Sequence, residues 1–185
     1  MRKFSLVFIL TVLAFAAVQR AAAQQAAEVT FSYERQSGSA SNQFAVWIEN
    51  PGGQHVKTLY VTQWTARGGY SRRPASIPLW VKQSGLSSWS KAQADAVSAA
   101  TPRTGPVTYA WDGTDSKGAP VPAGNYTVII EGNLRWENMV YCRVPIVIGS
   151  GPASAQVNAE YVSAGDRDAT AERSMISGVK VRVLR

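Results

Sequence analysis

The sequence predicts an all-β protein, an antiparallel β-sandwich with one long central insertion that contains a single short helix. Three observations predict it. Short apolar runs with a period of two recur along the chain, clusters of Gly, Pro, Asn and Ser separate them, and two of the runs, 107–111 and 126–132, bracket a polar turn in the manner of a hairpin. A period of two sends successive side chains to opposite faces of a strand, so that one face packs and the other meets water.

In chain order the expected strands are 29–35, 44–49, 56–62, 107–111, 126–132, 139–148, 155–162 and 178–184. Asn50, Pro51, Gly52 and Gly53 form a turn between the second and third. The pattern then breaks over about residues 63–106, an insertion longer than a sandwich needs. Within it, 87–100 is the one expected helix, capped by Ser88 and favoured by Ala92, Ala94 and Ala96. Long excursions tend to carry function, so a binding site is expected in this insertion or where it meets the strand ends. In the hairpin that follows, Val107, Tyr109 and Trp111 alternate with Thr108 and Ala110. Gly113, Gly118 and Gly124 permit turn backbone there, and Pro120 and Pro122 deny ladder donors at an edge.

Arg2 and Lys3 precede an apolar run over 4–18, and Ala21, Ala22 and Ala23 offer a small-residue cleavage site. This is the layout of a secretory signal peptide over 1–23, leaving 24–185 as a single sandwich domain. A membrane anchor would need about 20 apolar residues, and Gln19 and Arg20 end this run sooner. No later segment is apolar enough to span a bilayer. Loss of Arg2, Lys3 and Arg20 leaves 16 of the 19 basic residues against 12 acidic ones, so the net charge falls from +7 to +4. The basic residues are scattered and the compartment is extracytoplasmic, which excludes nucleic acid as a partner.

Catalytic residue types are scarce. His55 is the sole histidine and reads as a solvated residue at the start of a strand, and no paired Cys or His spacing exists for a metal. Cys142 is the sole cysteine, which rules out an intrachain disulfide and leaves it as a small buried hydrophobe. Asp112 and Asp115 read as turn-capping carboxylates. Trp47 and Trp111 lie in strands and are expected in the core. Trp64, Trp80 and Trp89 fall in the insertion among Arg67, Arg72 and Arg73. These six are the candidate ligand-binding set, with rings to stack on a flat ligand and guanidinium groups to pair with a phosphate or carboxylate. Packing of the insertion onto the sheet is the alternative role for the rings.

The run Trp111, Asp112, Gly113, Thr114, Asp115, Gly118, Pro120, Val121, Pro122, Gly124 and Tyr126 resembles the closing hairpin of the immunoglobulin-like module of flagellar hook-capping proteins. Over most of the mature chain, with 59–64, 77–80, 101–105 and that hairpin as landmarks, the sequence resembles the periplasmic proteins grouped as domain of unknown function 2271. The resemblance implies an immunoglobulin-like sandwich in the periplasm with no established activity. Members are often encoded beside a flavin transferase and PepSY-type membrane proteins, which are the partners it implies. Transferases of that kind esterify FMN to a threonine in a pattern close to D-x-x-[ST]-G-A-[TS]. Asp95, Ser98, Ala100 and Thr101 fit that pattern, with Ala99 where it has glycine. A helix end before Pro102 is the plain alternative.

The expected function is therefore a secreted, non-catalytic binding or accessory protein of an envelope redox or metal-uptake system. The second reading is an electron-transfer protein carrying covalent FMN on Thr101.

Overall fold

The structure is a computed structural model and describes residues 26–37, 41–135, 137–162 and 174–185. The expected signal peptide lies outside the described residues. Two sheets form the sandwich. The smaller has the order β5-β1-β10-β8, from Gly105–Trp111, Ala27–Tyr33, Ile176–Val183 and Ala153–Val157. The larger has the order β4-β3-β2-β6-β7-β9, from Ser98–Ala99, His55–Thr62, Gln43–Glu49, Gly124–Asn133, Met139–Ile148 and Glu160–Val162. All pairings are antiparallel except β3 with β4. Alternate residues of the facing strands, among them Phe31, Phe44, Trp111, Val128, Ile130 and Val181, fill the core between the sheets.

Each expected strand is present. The run 155–162 is two strands and not one: Asn158 and Ala159 interrupt it, and the chain passes there from the smaller sheet to the larger. The insertion holds three helices instead of one, α1 (Gln63–Ala66), α2 (Pro78–Ser84) and α3 (Lys91–Val97). The cap of α3 is Ser90, not Ser88. Ser90 Oγ accepts from the Gln93 N–H at 3.3 Å, and the Gln93 side chain accepts from the Ser90 N–H at 2.8 Å. This reciprocal box satisfies two otherwise orphaned donors, and Ser88 has no partner three residues on that could do the same.

The insertion is a third layer. Ile77, Trp80, Leu86 and Ala94 pack on Ala45, Trp47, Val61 and Ile129, which are side chains on the outer face of the larger sheet. That is why β2 is buried on both faces. Polar contacts fix the layer in place. Thr65 donates to Gln43 Oε1 at 3.0 Å and lies 2.7 Å from the Ser76 hydroxyl. The carboxylate of Glu131 on β6, fully buried, accepts the N–H groups of Leu79 at 3.0 Å and Trp80 at 2.7 Å and a hydrogen bond from Tyr141. This ties the first turn of α2 to the sheet. The residue before that helix, Ile77, adopts φ 46°, ψ 59°. A β-branched side chain in the left-handed region is strained by about 1–2 kcal/mol. Complete burial of Ile77 and the grip of Glu131 on the next turn hold it there.

Candidate functional site

Trp89 divides two clefts at the edge of the third layer. Its indole stands edge-on to Trp80, with ring centres 5.8 Å apart at 86°, and its N–H donates to the Ser84 carbonyl at 2.9 Å. Both contacts fix the ring. On one side is a cleft of about 330 Å³ between α1 and α3, where Arg67, Tyr70, Trp89 and Lys91 supply two cations and two rings. On the other is a cleft of about 300 Å³ between β3, α3 and the 112–117 turn, lined by His55, Thr58, Trp89, Gln93, Ser116 and Lys117 among others.

The six candidate ligand-binding residues separate. Arg67 and Trp89 line the first cleft, and Arg67 Nε donates to Asp95 Oδ1 at 2.8 Å. Trp80 is fully buried, with its N–H donated to Thr58 Oγ1 at 3.0 Å, so it is a packing residue of the third layer with no face to offer a ligand. Trp64 is 41% exposed and leans on the backbone of Gly69. Arg72 and Arg73 follow the turn at Gly69–Ser71 and line neither cleft. Trp47 and Trp111 are core residues, Trp47 beneath the insertion and Trp111 between the sheets.

The residues of the flavin pattern lie on three kinds of backbone. Asp95 is on α3 and held by Arg67, Ser98 begins β4 against Val61, and Thr101 is in the open segment beyond. The hydroxyl of Ser98 is buried without a hydrogen-bond partner, and the Tyr60 hydroxyl donates to the Ala100 carbonyl at 3.0 Å.

His55 is not the solvated residue that the sequence suggests. It is partly buried, its Nε2 lies 2.8 Å from Thr58 Oγ1, and burial pulls its pKa down to about 4, so the ring is neutral at pH 7. The Thr58 hydroxyl already accepts from the Trp80 indole, so its own proton is free to bond Nε2. In that arrangement the ring proton sits on Nδ1. The sequence shows only their spacing: His55 and Thr58 are three apart, and the pairing shift between His55 and Lys57 brings them to one face. Lys57 is neutralised: its ammonium donates to both Asp112 oxygens at 2.9 and 3.0 Å and to Thr114 Oγ1 at 2.5 Å. The bond to Lys57 and the Thr114 donors hold the Asp112 carboxyl below its usual range against the opposing effect of burial. Asp115 caps its turn as expected, its Oδ1 accepting from the N–H groups of Lys117 and Ala119.

A family model described as "Predicted periplasmic protein (DUF2271)" matches residues 25–163. No curated protein and no solved structure matches. The likeness of the hairpin to the hook-capping module has no counterpart in these findings. No described helix is long and apolar enough to cross a membrane.

Proposed function

The chain belongs to the DUF2271 family of predicted periplasmic proteins, and from that premise we propose that it is a binding or accessory component of an envelope redox or metal-uptake system, not itself a catalyst. The observation that carries this reading is the Arg67 cleft. A fixed indole, a tyrosine ring and two cations converge at the edge of the third layer. Its lining offers rings, cations and hydroxyls but neither imidazole nor carboxylate, which suits recognition better than proton transfer. The proposed partner is a PepSY-type membrane protein. A photo-crosslinking residue at Ser87, exposed on the rim, should yield an adduct with a membrane protein under native expression, whereas one at Thr108 on the open sheet should not. No adduct at Ser87, or equal adducts at both positions, rejects the reading.

A second reading is FMN esterified to Thr101. It is favoured by the placement of Thr101 beyond the helix on open backbone, next to exposed Ala99, Ala100 and Arg103. Co-expression with a flavin transferase should add the mass of one FMN to the Thr101 peptide, and Thr101→Ala should abolish it. An unmodified chain removes this reading and leaves the first intact.

A further inference from the structure

We propose that the His55 cleft, on the far side of Trp89 from Arg67, is a binding site for a small organic anion that carries a flat apolar body. The inference is independent of the Arg67 cleft and its partner. It rests on which hydrogen-bonding groups the protein leaves open. With Thr58 donating to Nε2, the His55 Nδ1–H has no hydrogen-bond partner among the described residues. The capping box engages Gln93 Oε1 with the Ser90 N–H at 2.8 Å, which orients the amide and leaves both protons of its NH₂ available. The Ser116 hydroxyl and the Lys117 ammonium complete the lining.

The groups that could oppose an anion are already engaged. All three Lys57 protons meet Asp112 and Thr114, which pairs that ammonium with the Asp112 carboxylate. Asp115 accepts two backbone N–H groups of its own turn. The open side-chain groups of the lining are therefore mainly donors, Lys117 among them, and an oxyanion, which only accepts, satisfies them. A polyol would bring protons for which the cleft has few free acceptors. Beside the donors, Trp89, Ala96 and Val97 give the lining apolar surface suited to a planar ring, with the Trp89 and His55 ring centres 6.4 Å apart. A carboxylate and a phosphate monoester share this chemistry, and the test separates them.

The ¹⁵N-labelled protein should be titrated with benzoate, phenyl phosphate and neutral benzyl alcohol at pH 7 while the indole N–H of Trp89 and the ring nitrogens of His55 are followed. Saturable shifts with one or both anions and none with the alcohol are expected, and the stronger anion identifies the head group. Lys117 is exposed, so Lys117→Gln tests the charge without disturbing the fold. It should weaken binding about threefold, as befits a solvent-screened charge. Lys180 is exposed on the smaller sheet, and Lys180→Gln should leave binding unchanged. In the free protein the His55 nitrogen shifts should report protonated Nδ1 and unprotonated Nε2. Absence of a saturable response to either anion, an equal response to the alcohol, or a protonated Nε2 overturns the proposal.

Discussion

Glu131 and His55 are buried ionisable groups with opposite pH signatures, and replacing either should unmask the other. Burial, only partly offset by bonds from Trp80, Leu79 and Tyr141 and by the Arg143 charge, raises the Glu131 carboxyl from 4.5 to about 7. Between those values the folded protein keeps a proton that the unfolded chain has lost. The stability Glu131 contributes is complete below pH 4.5 and is lost as pH rises through 7, a change of about 3 kcal/mol at roughly 1.4 kcal/mol per pH unit. His55 runs the other way. Burial lowers it from 6.5 to about 4, so its contribution is complete above pH 6.5 and is lost, again by about 3 kcal/mol, as pH falls through 4.

Across pH 4.5–6.5 the two slopes cancel, and the native protein should show nearly constant stability. The Asp112 carboxyl is held below 3.8 and acts only under this window, and the buried tyrosines are pushed above 10 and act only over it. Glu131→Gln should turn the flat profile into one that rises with pH by about 3 kcal/mol. His55→Gln should turn it into one that falls by a similar amount. Urea unfolding followed by tryptophan fluorescence, repeated across the window, measures both. Variants that keep the native profile, or that slope the same way, would refute the assignment of these groups.

Trp80→Ala removes the largest buried side chain of the third layer and should cost about 3–5 kcal/mol, with hydrogen-exchange protection lost first over 77–97. In Gly69→Ala the new Cβ would lie 2.4 Å from two carbons of the Trp64 ring and 2.5 Å from its carbonyl oxygen. Trp64 must therefore move, at a cost of about 1–3 kcal/mol, and a changed quenching of Trp64 by acrylamide would register it. Burial pushes the Cys142 thiol up to about 12, so the folded protein should resist thiol reagents at pH 8 and react only on unfolding. Rapid modification of the native protein would contradict its burial.

The sandwich was legible because its inner faces obey one rule at a time. In β7, Val140, Cys142, Val144 and Ile146 are buried while Arg143, Pro145 and Val147 are exposed, and that alternation is written in the residues. The division of 155–162 was not legible, because the choice between two sheets is made by partners distant in sequence and not by the run itself. The helix α2 left a trace that period-two reading passes over: Pro78 occupies its first position, where a missing N–H is harmless, and Gly85 adopts the left-handed conformation after its last turn.

The role of the insertion was also written in the sequence, in the strands beneath it and not in the insertion. Phe44, Ala45, Val46, Trp47 and Ile48 are apolar without interruption, as are Val128, Ile129 and Ile130, and such runs belong to strands covered on both faces. The outer face of the larger sheet therefore had to be covered, and only 63–106 was long enough to do it. Once the insertion is a packing layer, its tryptophans divide by position. Trp80 lies inside the layer, Trp64 outside it, and Trp89 at its margin, where a ring can be both held and reached. A buried glutamate is the polar cost of the arrangement, because the first turn of α2 brings donors onto an apolar surface. Glu131 supplies the acceptor there, beside Ile129 on the face of β6 that the insertion covers. The same packing carries Trp80 to Thr58 and so fixes His55, which ties the chemistry of the second cleft to the seating of the layer. Ligand binding at His55 and the stability of the third layer should therefore change together in Trp80→Phe, which keeps the ring but removes the N–H that Thr58 accepts. That variant should lose the fixed His55 tautomer while the sandwich beneath stays folded, and unchanged His55 nitrogen shifts would break the link between the two.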